Sequence, residues 1–266
     1  MVASDIDGTL LRSDETISAR TVASIDAAVR TGATFILATG RPPRWVPMIA
    51  QMTGHRGLAV CSNGALVIDL HDERVVDVQL HARANAVAAT DAVIELLPDA
   101  MFAVDGPGGF GHTPTYVSVF PQRDARIAPL HELLDGEFTK IMFRHPDMNA
   151  ALLDELIGRI GDHATVTFGS MGDDLGPRTL IELMPFGVTK AAALQRIADR
   201  LGATADDVIA FGDMPNDVDM LSWAGHGVAM GNAHPEAKAA ADEVTASNNE
   251  DGIALVLERE VGRTTR

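Results

Sequence analysis

Met1-Val-Ala-Ser-Asp-Ile-Asp-Gly-Thr-Leu10 ends a short apolar run with two carboxylates two residues apart, followed at once by Gly8 and Thr9. In an extended chain residues i and i+2 point the same way, so Asp5 and Asp7 leave the strand towards one space. Like charges that close repel, and neither stays ionised cheaply without a cation or a shared proton. A divalent ion resolves the conflict, and Mg²⁺ is the usual ion held by one or two carboxylates plus a substrate phosphate. Gly8 frees the chain to turn sharply, and Thr9 sets a hydroxyl beside the turn. The stretch reads as a metal site with an aspartate nucleophile. On these ten residues alone, a calcium loop or an ordinary strand-end turn stays open as well.

Working outward, the pattern repeats. Residues 17–29 set Val22, Ile25 and Val29 at helical spacing, between Ser18 as a fitting N-cap and Gly32 as a fitting stop. Ala33-Thr-Phe-Ile-Leu-Ala38 is a continuous apolar run of the kind buried in a parallel sheet, and it leads into Thr39-Gly-Arg-Pro-Pro43. A second helix is expected next, then Gly57-Leu-Ala-Val-Cys-Ser62 running into Asn63-Gly64. Alternating strands and helices predict a doubly wound α/β sheet, whose ligands bind beyond the carboxyl ends of the strands. Asp5, Thr39 and Asn63 fall at such ends.

The texture changes from about Leu80. A helix is expected at 82–97 with Val87, Ile94 and Leu97 on one face, and others at 130–134 and 152–160. Strand-like runs occupy 102–104, 115–120, 139–144, 164–168 and 179–184, a mixture that suits an α+β insert of roughly a hundred residues. The first pattern then resumes. A helix at 191–201 carries Leu194, Ile197 and Leu201 along one face, and the buried run 207–212 delivers Asp213-Met-Pro-Asn-Asp217. A helix through Met220 and Leu221, a strand at 227–230 and a helix at 235–241 follow. The expected organisation is a core of 1–80 and 188–266 interrupted by an insert of 81–187.

Composition narrows the function. With 46% hydrophobic and 22% charged residues, the chain resembles an ordinary globular protein rather than a disordered one. A net charge of −16 argues against a nucleic-acid partner, and it means an anionic ligand must be drawn in by local cations. The single cysteine, Cys61, lies in an apolar run and fits a buried small residue in a reducing compartment. No signal peptide or membrane-spanning run is evident, so a cytoplasmic location with no membrane partner is expected. The nine histidines include no tight metal spacing, which argues against zinc. The calcium loop also fails, because no helix precedes Asp5 and Thr16 stands at the loop's twelfth position.

Taken together, Asp5-Ile-Asp-Gly-Thr-Leu-Leu11, Ala38-Thr-Gly-Arg41, Lys190 and Gly212-Asp-Met-Pro-Asn-Asp217 resemble the four ordered motifs of the haloacid dehalogenase (HAD) superfamily of phosphatases. Ser62-Asn-Gly-Ala65, Asp219-Met-Leu221, Val228-Ala-Met-Gly-Asn-Ala233 and Asn249-Glu-Asp-Gly252 resemble its Cof-type branch, which carries a large α/β cap between the second and third motifs. The resemblance implies a Rossmann-like, mostly parallel core sheet with an inserted cap that sets specificity. It also implies a Mg²⁺-dependent hydrolase of small phosphorylated metabolites such as a sugar phosphate or a nucleotide-like cofactor. Asp5 is then the nucleophile and Asp7 the acid/base, with its backbone carbonyl on the metal. Asp213 becomes a metal ligand, and Asp217 either a ligand or an anchor. Thr39 and the Gly40 backbone would bind phosphate, and Lys190 would neutralise both Asp5 and the phosphate.

Several positions carry two readings. Arg41 fits a structural ion pair as well as a substrate contact. Asn63 suits a left-handed turn before Gly64, with a substrate-side role favoured, and Asn216 suits substrate binding or the orientation of Asp213. Only four residues precede Asp5, a short first strand, so either its edge frays or the start of the chain is misassigned. Gly106-Pro-Gly-Gly-Phe-Gly111 matches the dinucleotide fingerprint, yet the strand-like, Pro-containing sequence after it offers no helix N-terminus for a pyrophosphate. In the insert, His112, Tyr116, Asp174 and Arg178 are the candidate substrate contacts. A phosphomutase of the same superfamily and a non-catalytic metabolite sensor are the alternatives. Oligomeric state is not legible.

Overall fold

The computed structural model describes residues 1–117, 124–169 and 180–264, which divide into two compact units, Met1–Asp77 with Thr189–Arg266, and Val78–Val188. Among the described residues the first unit contains β1 (Val2–Ser4), α1 (Ala19–Arg30), β2 (Phe35–Ala38), α2 (Val46–Thr53), β3 (Leu58–Cys61), β4 (Leu66–Asp69) and β5 (Arg74–Val78), the last crossing into the second unit. After the second unit come α6 (Lys190–Leu201), β12 (Ile209–Gly212), α7 (Val218–Trp223), β13 (His226–Ala229), α8 (Pro235–Ala240), β14 (Glu243–Val244) and α9 (Gly252–Thr264).

The strands pair in the order β14-β13-β12-β1-β2-β3-β4-β5, parallel from β14 to β3 and antiparallel between β3 and β4. Both faces are covered, which is why the strands read as unbroken apolar runs. Alternation along β2 shows it. Phe35 and Leu37 pack with Ile25 of α1, Ile49 of α2 and Leu257 of α9, while Ile36 and Ala38 pack with Leu194 and Ile197 of α6. The chain winds one way from β1 through β2 and β3, and the other way from β12 through β13 and β14. The strand order therefore reverses beside β1, where an α/β sheet opens a crevice at its carboxyl edge. This is the doubly wound α/β class expected.

The expected fraying of the first strand does not occur. β1 is central, and each of its three residues is in register with β12 on one side and β2 on the other. Ser18 caps α1 by accepting from the Thr21 N–H, as expected. Leu201 is 52% exposed, however, so the buried stripe of α6 runs through Ala193, Leu194, Ile197 and Ala198 instead. The β4 and β5 strands, β14 and the C-terminal α9 were not anticipated.

The second unit holds α3 (Arg83–Leu96), β6 (Met101–Asp105), β7 (Gly111–His112), β8 (Arg126–Ile127), α4 (Leu130–Leu133), β9 (Lys140–Arg144), α5 (Ala150–Ile160), β10 (Ala164–Gly169) and β11 (Leu180–Pro185). Its sheet runs β10-β11-β9-β6-β7-β8 and is antiparallel except for the β7–β8 pair. Phe102, Val104, Ile141, Phe143, Ile181 and Leu183 turn one face towards α3 and α5. The buried stripe of α3 is Ala86, Ala89, Thr90 and Val93, whereas Ile94 is 38% exposed. Leu97 is buried and Val87 packs on the same core, as expected, while the small residues Ala86 and Ala89 fill the stripe in place of Ile94. The run expected as a strand at 115–120 begins as turn and coil at Thr115–Val117, and its remainder lies outside the described residues. Gly106-Pro-Gly-Gly-Phe-Gly111 leads into β7 rather than a helix, and a Cβ at Gly106 would lie 2.6 Å from the Phe138 Cα. These glycines let two chain segments touch, and no nucleotide cradle forms.

Candidate active site

Four strand ends and one helix start build the site in the first unit. Leaving β1, Asp5 donates its N–H to the Phe211 carbonyl at 2.9 Å, and Ile6–Leu10 form one wide turn closed by the Leu11 N–H on the Ile6 carbonyl at 2.8 Å. Gly8 makes the turn possible. Its φ is +78°, and a Cβ there would fall 2.3 Å from Asp213 Oδ2. The turn brings Thr9 across to Asp213, whose Oδ1 accepts from the hydroxyl at 2.6 Å.

Lys190 is the first residue of α6, capped by Thr189 accepting from the Ala192 N–H. A cation at that end opposes the helix dipole, and its side chain is fully buried, so the placement requires anions. It has two. Nζ donates to Asp5 Oδ1 at 2.5 Å and to Asp217 Oδ1 at 2.7 Å. Burial alone would lower the lysine's pKa, but Asp217 and Asp5 on either side raise it above the ordinary value. Gly64 permits the close approach of the β3 loop to this helix start, since a Cβ there would meet the Thr189 carbonyl oxygen at 2.1 Å.

Asp217 is consumed by structure. Its Oδ2 accepts from the N–H groups of Asp213 and Met214, each at 3.0 Å, while Oδ1 faces Lys190. It therefore anchors the Asp213 loop. Burial, with Asp217 next, pushes Asp213 up to about 7, against the Thr9 hydrogen bond and the Lys190 charge. Asp5 is raised too, by burial first. Lys190 opposes that shift, and Asp217, Asp213 and Asp7 add to it.

The residue types suit a hard divalent cation. Carboxylate oxygens of Asp5, Asp213 and Asp217 lie within 4.8 Å of one another, and they are the one such group of acidic, His or Cys side chains among the described residues. Three buried carboxylates stand against the single Lys190 ammonium, an excess of negative charge that a divalent cation offsets.

Asp7 is placed apart. Its carboxylate is exposed and held in a fork by Arg41, Nε to Oδ2 at 2.7 Å and Nη2 to Oδ1 at 2.5 Å. Of the two readings for Arg41, the structure shows the ion pair. Thr39 is 1% exposed, and its Oγ1 accepts from the Arg41 N–H at 3.0 Å. Asn63 has the left-handed φ of +52° anticipated for it, and its Oδ1 accepts from Asn216 Nδ2 at 3.0 Å while lying beside Gly40. Thus Asp5, Thr39, Gly40, Asn63, Lys190, Asp213, Asn216 and Asp217 come together, with Asp7 and Arg41 as a pair at the rim. His112 and Tyr116 belong to the second unit, where Tyr116 packs on Ala103 and Met142. Asp174 and Arg178 lie outside the described residues.

Asn232, Asn248, Asn249, Asp251 and Arg12, assigned no role from the residue pattern, tie the Asp7 turn to the C-terminal loops. Arg12 pairs with Asp251 at 2.6 Å, Asn249 bonds Ser13, and Asn232 and Asn248 reach the carbonyls of Gly8 and Leu11. Asn232, Asn249 and Asp251 lie within the quoted motifs and Arg12 and Asn248 beside them, but nothing in their spacing says what they touch.

A doubly wound sheet that gathers buried carboxylates and a lysine at its carboxyl edge defines a phosphotransfer-type hydrolase. Residues 2–257 match the family described as haloacid dehalogenase-like hydrolase, and the chain belongs to that family. Within it, this is a HAD-type phosphatase of the Cof-type branch. It is 30% identical over 273 residues to the 5-amino-6-(5-phospho-D-ribitylamino)uracil phosphatase YitU of Bacillus subtilis, covering 97% of this chain and 96% of that one. It is 28% identical to the HMP-PP phosphatase of Yersinia enterocolitica, covering 97% and 94%. In fold it resembles a HAD-superfamily phosphatase from Bacteroides thetaiotaomicron, with a TM-score of 0.80 at 20% identity over 98% and 94% of the two chains. A subclass IIB sugar phosphatase gives a TM-score of 0.79 at 24% identity over 97% and 98%. No helix among the described residues is long and apolar enough to cross a membrane.

Proposed function

We propose that the chain hydrolyses the phosphomonoester of a small phosphorylated metabolite with Mg²⁺, through an aspartyl-phosphate on Asp5. The observation that carries this reading is Asp5 itself, a buried carboxylate with Lys190 Nζ at 2.5 Å and Asp213 beside it. The curated relatives act on phosphorylated small molecules, which supports the substrate class.

In the first half-reaction an Asp5 oxygen attacks phosphorus, the bond to the leaving oxygen breaks, and Asp7, entering the cycle protonated with a bond of its Arg41 fork open, delivers its proton to that oxygen. In the second, Asp7 takes a proton from water, whose oxygen attacks the aspartyl-phosphate, releases phosphate and returns Asp5. Arg41 occupies both Asp7 oxygens, so each proton transfer requires one bond of that fork to open. Lys190 neutralises charge on Asp5 and the transferring group. The Thr39 hydroxyl accepts from Arg41 N–H and so aims its own proton elsewhere, towards a phosphate oxygen; the Gly40 N–H is its neighbour in that task. Asp5 and Asp213, with the backbone carbonyl of Asp7, would hold the metal, and Asp217 would fix Asp213. Bound there, Mg²⁺ supplies positive charge to the phosphate oxygens. The unit Val78–Val188 is proposed to carry the groups that select the substrate.

The test is Asp5→Asn in a phosphate-release assay on a generic aryl phosphate with Mg²⁺. Turnover should fall by about a thousandfold or more. Near wild-type activity sinks the covalent mechanism.

A further inference from the structure

The loop after β13 touches both sides of the proposed metal position without supplying a ligand. The Met230 N–H donates to the Gly212 carbonyl at 3.0 Å, and the His234 N–H donates to the Asp213 carbonyl at 2.7 Å, so the loop's two ends are fixed to the Asp213 strand end. Between them, Asn232 Nδ2 donates to the Gly8 carbonyl at 2.8 Å. The Leu11 N–H closes the wide turn Ile6–Leu10 on the Ile6 carbonyl, and the Gly8 carbonyl takes its side-chain partner from Asn232.

The amide of Asn232 cannot flip without loss. Its Oδ1 accepts from the Asn248 N–H at 2.9 Å, which forces Nδ2 towards Gly8. Asn248 in turn spends Nδ2 on the Leu11 carbonyl at 2.8 Å. Asn232 and Asn248 thus hold the two ends of the segment that carries Gly8 to Leu11. Asn232 is exposed, however, and buries no side-chain bulk that the fold would miss.

We infer that Asn232 is a positioning residue that sets the distance between the Asp7–Gly8 turn and Asp213. It acts as the middle of a tie whose ends are the backbone bonds of Met230 and His234. This rests on the proposed reading in which Asp5, Asp7 and Asp213 serve phosphoryl transfer. Asn232 touches neither phosphate nor metal. It fixes the Gly8–Thr9 peptide and, through Thr9 Oγ1 on Asp213, the two halves of the cation site against each other.

The experiment compares Asn232→Ala and Asn232→Asp with the wild type. It reads kcat and KM on an aryl phosphate at saturating Mg²⁺, Mg²⁺ affinity by calorimetry, and the metal-free melting temperature. Loss of a group that orients a metal ligand commonly costs 10- to 100-fold. Asn232→Ala should therefore lower kcat by about tenfold and weaken Mg²⁺ binding several-fold, with KM within about twofold and melting within about two degrees. Asn232→Asp keeps the shape but offers an oxygen to the Gly8 oxygen, and its kcat should fall at least as far. Wild-type kcat and Mg²⁺ affinity in both variants overturn the proposal. So does a wild-type-like Asn232→Asp, because shape would then suffice, or a kcat loss matched by a large drop in melting temperature. An inactive wild type would instead refute the proposed function, leaving the calorimetric comparison to judge Asn232.

Discussion

Each unit of this protein buries a lysine, and the two are used differently. Lys190 stands at a helix start among Asp5, Asp213 and Asp217, whose ligand oxygens converge within 4.8 Å. Lys140 opens β9, where it is in register with Asp105 at the end of β6, and it donates to Glu182 within β11 at 2.6 Å. A sheet spaces side chains by its own ladder, roughly 4.5–5.5 Å between directly opposed Cβ atoms, so acids on neighbouring strands flank a base. Loops leaving several strand ends obey no such spacing and can aim three carboxylates at one point. Acids held on paired strands therefore make an ion pair with Lys140, and acids on loops converging from strand ends make the site around Lys190.

The sharpest way to break this comparison is one substitution made twice. Lys190→Met should abolish turnover, by about a thousandfold or more, because the charge facing Asp5 and the phosphate is gone. Removing one partner of a buried pair costs about 3–5 kcal/mol, and Lys140→Met should be destabilised on that scale too while keeping turnover within a few-fold of wild type. Denaturant melts and phosphate release measure both. Equal loss of activity in the two variants would erase the distinction.

A second effect concerns the excess carboxylates. Asp213 is raised to about 7 in the metal-free fold from an ordinary 3.8. Between those values the folded state binds more protons than the unfolded one, so metal-free stability should fall as pH rises from about 4 to about 7. Mg²⁺ favours the ionised carboxylate, and its stabilising increment should be larger at pH 8 than at pH 5. Melting temperatures with and without Mg²⁺ at the two values check this, and an equal increment would remove the excess charge from the account.

The smallest effect is expected at Arg41. Arg41→Lys keeps the charge near Asp7 but loses the planar fork, so kcat should fall only about three- to tenfold. A loss as deep as that of Lys190→Met would move Arg41 into the same class as the buried lysine.

The strand ends were legible because each residue type there conflicts with its surroundings. Asp5 ends an apolar run, and Asp213 follows a buried strand, so the sequence itself marks them. Lys190 was marked only by its place between the insert and the returning core. The supporting groups were not legible, because an exposed asparagine such as Asn232 conflicts with nothing until its partners are known. On α3 only Ile94 departs from the expected face, for a related reason, since Ala86 and Ala89 announce no preference while Ile94 does. For α9 the signal existed in Ile253, Val256 and Leu257 at helical spacing, all buried, though charged neighbours dilute it.

The central position of β1 has a consequence for how the molecule comes into being. Val2 pairs with Ile209, so one side of the innermost strand has no partner until some two hundred further residues exist. At roughly 5–20 residues per second, synthesis leaves that edge open for about 10 to 40 s. For that interval Asp5 has neither Lys190 nor Asp213 beside it. The proposed nucleophile is made well before the groups that surround it, and no fragment ending before β12 should hydrolyse a phosphate ester.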